Sequence, residues 1–397
     1  DLAEINNRTG LGERKNFNYG ARLTFTPENN EFVLNYDRGV QRYDNTKEQQ
    51  GGLKGNGYAD HLRFVRERAG LTHKVDLGSA TVESGLLWDN SKTIGRLNPD
   101  TKPPTSLNGE KRDIKYTNII FDHKWMFGLG DHFISAGLQY RQQKFKDTLE
   151  GSNLDLKQWQ WARFAEDEWM ITDDLIATFG LRYDKNEDFG SHFSPRAYLV
   201  WNIDDHWQVK GGVSRAYKAP DVQKMTTGVM SVSGQGVNPV LGNPNLKPET
   251  STSAELGFSY TNLDNFSMNA TAFYSEFKDK IDTVDICQNG SSAGSENCSA
   301  LQQDWPDATV YKKAANLDDA KLYGIQLGAK YQVTEQIGVS GNYTYTHSSY
   351  KDESRRKLPF GRTPQHMVNL KVDWNINAKW SAWADSEFRA KEYRGLD

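Results

Sequence analysis

Apolar and polar residues alternate one by one along many stretches of this chain. In the segment 175–184 the odd positions carry Leu, Ala, Phe, Leu and Tyr, whereas the even positions include Thr, Gly, Arg and Asp. The segments 337–346 and 367–374 show the same alternation. Because successive side chains of a β-strand point to opposite faces, this pattern predicts strands with one apolar face and one polar, wet face.

We find about sixteen such segments, and the connections between them fall into two classes. Short turns rich in Gly, Asn, Asp or Pro alternate with mostly long loops. The segments lie near 16–25, 31–43, 63–75, 80–92, 116–127, 132–145, 158–172, 175–186, 192–203, 207–217, 250–261, 266–281, 321–333, 337–348, 363–374 and 380–391. The sequence therefore predicts an all-β fold, a transmembrane antiparallel β-barrel with short periplasmic turns and long extracellular loops.

The aromatic residues favour a membrane location over a soluble one. The chain has 11 Trp and 18 Tyr although its mean hydropathy is −0.76, and a soluble protein this polar seldom accommodates so many large rings. No apolar run is long enough for a transmembrane helix. A soluble β-sandwich or propeller is the alternative, but no blade motif repeats. Six tryptophans lie near short turns, where a girdle would meet the lipid interface: Trp125, Trp169, Trp201, Trp207, Trp374 and Trp380.

Two short motifs flank the long loop that follows residue 217. One strand ends at YKAP (Tyr217–Pro220), and NPNLKPETS (Asn243–Ser251) leads into the next strand. Their prolines fix φ and remove backbone donors, so they end the hydrogen-bond ladder where the loop leaves the barrel and returns to it. Together and in this order, the two motifs resemble the paired signatures of TonB-dependent outer-membrane receptors.

Within that family the chain is similar to the ferric-catecholate, enterobactin-type siderophore receptors along nearly its whole length. The stretches that carry this similarity are YDRGVQRYDN (Tyr36–Asn45), LRFVRERAGLTHK (Leu62–Lys74), WDNSKTIGR (Trp88–Arg96), FAEDEWMITDD (Phe164–Asp174), FGLRYD (Phe179–Asp184), FSPRAYLVW (Phe193–Trp201) and SGQGVNPVLGNPNLKPETS (Ser233–Ser251).

The resemblance implies a bacterial outer-membrane barrel of about 22 strands that is plugged by an N-terminal globular domain. Residues 1–397 would then be one partial barrel domain, without the plug, the TonB box and the terminal strands. The chain begins at Asp1 and not at Met, so we expect a piece of a longer protein. The resemblance also implies a receptor and transporter, not an enzyme, that imports its ligand with energy from the TonB complex.

A ferric tris-catecholate is a compact trianion with an aromatic shell, so its receptor needs cations and aromatic surface above the lumen. The segments 92–115 and 349–362 each carry a net charge of +3, whereas the whole chain carries −4. By resemblance, the basic contacts fall on Arg63, Arg66 and Lys92, the loop glutamine on Gln235, and an aromatic contact on Tyr43 or Tyr58. We expect the three cations to converge on one ligand. The alternative role for each arginine is an ion pair on the lumen wall.

The ligand brings its own iron, so we expect no cofactor and no metal site in the protein. Cys287 and Cys298 fall in one predicted extracellular loop, which indicates a disulfide in an oxidising compartment. No metal-ligand spacing surrounds them, and no nucleophile, zinc or phosphate-loop motif occurs.

Other functions stay open at this point. A haem receptor of the same family would place an axial histidine between the two motifs, and residues 221–242 contain none. An open diffusion porin would need no paired motifs, and an outer-membrane hydrolase would need a nucleophile. Bacteriocins or phages are possible partners of the loops besides outer-membrane lipid, whereas the lipid-facing alternation argues against nucleic acid.

Overall fold

Antiparallel β-strands make up nearly all of the computed structural model, which describes residues 14–44, 58–98, 109–149, 154–233, 238–288, 298–305, 308–317, 319–351 and 359–393. Sixteen strands form one sheet, in which every strand pairs with its neighbours in chain order. These strands are β1 (Arg14–Phe25), β2 (Asn30–Asp44), β3 (Tyr58–Asp76), β4 (Ala80–Leu97), β5 (Lys111–Leu129), β6 (His132–Asp147), β7 (Leu154–Thr172), β8 (Leu175–Asn186), β9 (Gly190–Asn202), β10 (Trp207–Lys218), β13 (Glu249–Thr261), β14 (Phe266–Lys278), β17 (Ala320–Gln332), β18 (Ile337–Tyr350), β19 (His366–Asn377) and β20 (Trp380–Arg389).

All sixteen predicted strands are confirmed, with ends within a few residues of the predicted bounds except on the long-loop side. There β3, β4, β5 and β7 run about four or five residues further than the alternation indicated. The apolar–polar alternation that marks the membrane-embedded part is absent from the sequence of these extensions, whereas the backbone ladder continues through them.

The register assigns each side chain to one of two faces, because directly paired residues of an antiparallel ladder share a face. On one face lie exposed apolar pairs such as Leu71 with Leu86 and Val339 with Val372. The other face of β18 and β19 carries Asn342 and its partner Asn369, which line an internal space of about 1120 Å³. The first face meets lipid, and the second lines the lumen.

The aromatic girdle lies where the sequence predicted it. All six of the tryptophans near short turns are exposed, which is the state expected for rings at a lipid interface: Trp125, Trp169, Trp201, Trp207, Trp374 and Trp380. Among the helices of the described residues, none is long and apolar enough to cross a membrane.

The two long loops 218–249 and 282–320 contain structure that the sequence did not reveal. Four short strands form a separate sheet in the order β11–β12–β16–β15, and β12 pairs in parallel with β16. A short helix lies between the last two of these strands. The elements are β11 (Val229–Ser233), β12 (Asn238–Leu241), β15 (Ile281–Gln288), α1 (Cys298–Asp304) and β16 (Val310–Asn316). The two regions are long connections between barrel strands, as predicted, but the sequence did not predict the elements inside them.

The second proline motif packs against this small sheet. Leu246 is buried in a cluster with Met230, Val240, Ile281 and Ala314. Asn316 exchanges hydrogen bonds with the backbone of Lys247 in both directions, at 2.7 and 2.8 Å. The motif therefore holds the segment that leads into β13 against β16, although β16 lies far away in the sequence.

The first proline motif leads into a 3₁₀ turn, Val222–Met225, that lies on the lumen face of the barrel wall. Val222 and Phe145 are buried together, with Ile114, Tyr116 and Leu156 packed around them. Those residues alternate with outward-pointing neighbours on β5, β6 and β7. The contact fixes which face of these three strands is turned to the lumen.

Cys287 is buried in the core of the small sheet and is disulfide-bonded. Cys298 is the only other cysteine of the chain, and its side chain lies outside the described residues. Around Cys287 pack Trp305, Ala308 and Tyr311, and the Tyr311 hydroxyl donates to the Trp305 carbonyl at 2.7 Å. Burial raises the pKa of the Tyr311 phenol.

We expect Cys287 and Cys298 to be joined to each other. A bond that closes so short a loop stabilises it by about 2–3 kcal/mol through the entropy of the unfolded chain. Thiol titration of the unfolded, unreduced protein should detect no free thiol, and detection of two thiols would contradict the pairing.

The face assignment predicts different environments for single labels in the reconstituted barrel. A fluorophore on Leu181→Cys or Leu370→Cys should be quenched strongly by brominated lipid, because both leucines are exposed on the apolar face. The same fluorophore on Asn342→Cys or Lys371→Cys should be quenched only weakly. Equal quenching at all four positions would show that the faces are assigned wrongly.

Candidate functional site

Two arginines stand side by side on the lumen face of β3. Arg66 donates from Nη2 to Oδ2 of Asp89 at 2.8 Å, and Arg68 donates to the same oxygen from Nε at 3.2 Å and from Nη2 at 3.1 Å. Asp89 is buried, whereas the Arg66 side chain remains 62% exposed. One carboxylate thus orients two guanidinium groups and leaves some of their donors unused on the lumen face, where Asp37 is the register partner of Arg68.

Aromatic rings lie on the same face next to this pair. Tyr43 of β2 and Phe64 of β3 meet edge to face, with 5.7 Å between ring centroids. Arg14 of β1 places its Cζ 5.5 Å from the Tyr43 centroid. Gly39, the register partner of Arg66, leaves the wall without a side chain at that point. We refer to Tyr43, Phe64, Arg66 and Arg68 as the lumen-wall cluster.

The residue between these two arginines faces the other way. Glu67 lies on the outer face, where it contacts Arg38 at 3.4 Å and Lys92 at 3.9 Å. It also accepts hydrogen bonds from the Tyr36 hydroxyl and from the buried Asn90 amide. The outer face therefore repeats the arrangement of the lumen face, with two cations beside one carboxylate.

The expected convergence of Arg63, Arg66 and Lys92 above the lumen is wrong. Lys92 pairs in register with Val65 and Arg63 with Arg42, so both belong to the outer face, whereas Arg66 points to the lumen. The physical reason is the period of two: positions 63 and 66 are separated by an odd number of residues and cannot share a face.

A cavity of about 370 Å³ at the tips of β2, β3 and β4 nevertheless brings two predicted residues together. Arg63 and Tyr43 both line it, beside Arg42 and His61. The cavity lies where the ladder is interrupted near Gly95, which has φ +93°. A Cβ at this position would collide with the carbonyl oxygen of His61. Only glycine fits this bulge.

The positive charge of the segment 92–115 is divided in the same manner. Lys92 and Lys115 are register partners on the outer face. Arg112 points inward and forms a two-pronged pair with Asp147, at 2.7 and 2.6 Å, in which both groups are largely buried. Lys92 and Lys115 therefore add no charge above the lumen, and Lys102 lies outside the described residues. Residues 352–358 of the other basic segment lie outside the described residues.

Two further predicted contacts cannot be placed in the site. Gln235 lies outside the described residues, and for Tyr58 only the backbone position is described, opposite Arg96. Sequence reasoning missed Arg68 and Phe64. The signal that identifies them was available, because both lie an even number of residues from Arg66. Within the described residues, no group of three or more His, Cys, Asp or Glu is arranged to hold a metal ion.

Comparison with known proteins agrees with this architecture. The family model of the TonB dependent receptor-like β-barrel matches residues 3–395. The iron-regulated outer membrane virulence protein of Vibrio cholerae serotype O1 is 30% identical, over 96% of this chain and 56% of its own length. The ferrienterobactin receptor of Escherichia coli is 24% identical, over 89% of this chain and 54% of its own length.

A solved structure shares the fold. The crystal structure of the siderophore receptor PirA from Pseudomonas aeruginosa superposes with a TM-score of 0.74 at 19% identity, covering 96% of this chain and 63% of that chain. The chain spans a little more than half the length of the two curated relatives. Since the family model extends over almost every residue, this chain belongs to the TonB-dependent receptors of the bacterial outer membrane, as their β-barrel domain.

Proposed function

We propose that this barrel belongs to a receptor that binds a ferric-catecholate siderophore and imports it with energy from the TonB complex, which would act through a part of the protein outside this chain. The observation that carries the proposal is the lumen-wall cluster. It combines two partly exposed guanidinium groups, oriented by Asp89, with two aromatic rings. A relative that is 24% identical bears the name ferrienterobactin receptor.

The chemistry of the cluster fits a ferric tris-catecholate. Three catecholates around Fe³⁺ form a trianion whose rim is aromatic, and an arginine can both donate hydrogen bonds to the catecholate oxygens and stack on a ring. The iron arrives bound to the ligand, so the proposal requires no cofactor and no iron ligand from the protein. Arg63, Gln235 and Tyr58 stay predicted contacts at the mouth of the barrel.

Removal of both cluster arginines should weaken binding of the ferric trianion. Each hydrogen bond from a charged donor contributes about 1.5–3 kcal/mol, so Arg66→Ala with Arg68→Ala should raise the Kd of ferric enterobactin by about two to four decades. Titration calorimetry on the purified receptor measures this change. A neutral ferric hydroxamate, tested in the same way, should show no comparable loss because it lacks the charge.

The matched control is the double variant Arg38→Ala with Lys92→Ala. It removes the same charge from the same part of the barrel, also from beside a single carboxylate, but on the outer face. Its Kd should stay within about threefold of the value for the unmodified receptor. A threefold change in Kd corresponds to less than half of the free energy of a single charged hydrogen bond. An equal loss in both double variants, or no loss in the first, would remove the cluster from the binding site.

Uptake should depend on the energised inner membrane if the barrel belongs to a TonB-driven receptor. Cells that express the protein and receive radioactive ferric enterobactin should stop accumulating iron when TonB is deleted or the proton-motive force is collapsed, while surface binding persists. An open diffusion porin would continue to admit the ligand under both conditions. Displacement of the bound siderophore by haem at equal concentration would favour a haem receptor instead.

A further inference from the structure

The positive charge of the lumen-wall cluster is balanced by neighbouring acids. Arg66 and Arg68 both donate to the buried carboxylate of Asp89, and Asp37 lies opposite Arg68 in the register, on the same face. Two carboxylates therefore stand beside two guanidinium groups, so this part of the wall offers hydrogen-bond donors but no net charge. A ligand with three negative charges would gain more from a cation that the wall leaves uncompensated.

Arg141 of β6 is such a cation. The outer face of β6 carries Tyr140, which continues the row of register partners of lipid-facing residues, so its neighbour Arg141 points to the lumen. On the same face of the strand, Phe145 packs under Val222 of the 3₁₀ turn. The Arg141 side chain is exposed, and it forms no ion pair with any described residue.

Neutral side chains surround Arg141 on the lumen face. They are its register partners on β5 and β7 and the residues two positions away on its own strand: Ile120, Gln160, Gln139 and Gln143. The carboxylates of this region are engaged by other groups. Asp122 accepts a hydrogen bond from Gln139 at 2.7 Å, and Asp184 accepts one from Nε of Arg182 at 3.0 Å. The positive charge of Arg141 therefore remains available to a ligand in the lumen.

Arg141 and the lumen-wall cluster flank one strip of the barrel wall. Only β4 and β5 lie between β3 and β6, so the backbones of the outer two strands are about 14 Å apart along the wall. The register row of Arg68 reaches β6 at Gln143, and Arg141 is the next residue of that face toward the short turns. Because the lumen face of a barrel is concave, side chains from β3 and β6 converge on a compact ligand between them.

We propose that Arg141 is a specificity-determining residue, which supplies a third cation to the bound ferric complex and selects ligands by their charge. The inference rests on the siderophore function proposed above. Three catecholates around Fe³⁺ form a trianion, whereas two catecholates form a monoanion. Coulombic attraction to Arg141 is proportional to the charge of the ligand, so this residue favours the tris-catecholate over the bis-catecholate.

The test compares the two kinds of ferric complex on the purified receptor by titration calorimetry. Arg141→Gln removes the charge and leaves an amide like those around it, so the Kd of ferric enterobactin should rise by about one to two decades. The Kd of the ferric complex of a linear bis-catecholamide should rise only about two- to fivefold, because the lost attraction is about a third as large. Arg141→Lys keeps the charge and should lose less affinity for the trianion than Arg141→Gln.

The matched control is Arg22→Gln. Arg22 lies opposite Asn35 on the lumen face of β1, is exposed and has no ion-pair partner in the described part of the chain, but it lies close to a short turn. Both Kd values of this variant should stay within about threefold of those of the unmodified receptor. Heat-dependent migration on gels verifies that each variant forms a folded barrel.

Three results would overturn the inference: an unchanged affinity of Arg141→Gln for ferric enterobactin, an equal loss for both complexes, or an equal loss in Arg22→Gln. The first of these, together with a loss in the variant Arg66→Ala with Arg68→Ala, would leave the proposed function standing. If the unmodified receptor bound neither ferric complex, the proposed function itself would be wrong, and the inference with it.

Discussion

The rest of this structure depends on the need of every backbone N–H and C=O group in a membrane to find a partner within the protein. The sixteen-stranded ladder meets that need through continuous antiparallel pairing, and pairing fixes the register of each strand. Register in turn fixes faces, because a shift of one residue would exchange every lipid-facing side chain for a lumen-facing one. Leu71 next to lipid and Arg66 next to the lumen are two consequences of one hydrogen-bond pattern.

The sequence predicted the large sheet well because the information that specifies it is local. Each lipid-crossing strand carries its own alternation, and the short turns, except the one at residues 333–336, carry their own Gly, Asn or Asp. The small sheet was missed because its partners are remote: Val240 pairs with Lys312, and Asn243 donates to the carbonyl oxygen of Ala314 at 3.1 Å. Its strands are four to eight residues long and show no alternation, so no short window of sequence distinguishes them from a loop.

The candidate site was predicted only in part, for a different reason. The resemblance supplied residue types and approximate positions, and it pointed to residues of β2, β3 and β4. The resemblance did not sort those residues by face, so the prediction grouped Lys92 with Arg66, whereas the structure places Lys92 beside Glu67 on the outer wall. Selecting every second residue of β3 on either side of Arg66 would have identified Arg68 and Phe64 as residues of the same face. This procedure is limited near strand tips by bulges such as the one at Gly95, because the residue that a bulge inserts shifts the alternation between the two faces.

On both walls of the barrel at this height, two cations lie beside one carboxylate. Asp89 orients Arg66 and Arg68 toward the lumen, and Glu67 holds Arg38 and Lys92 on the outside, so in each case a carboxylate offsets part of the charge of two cations. Arg66 and Arg68 occupy even positions of β3 and Glu67 the odd position between them, so the ladder directs neighbouring charges to opposite walls. A ligand in the lumen would therefore meet the two arginines, whereas the charges around Glu67 stay on the outer wall.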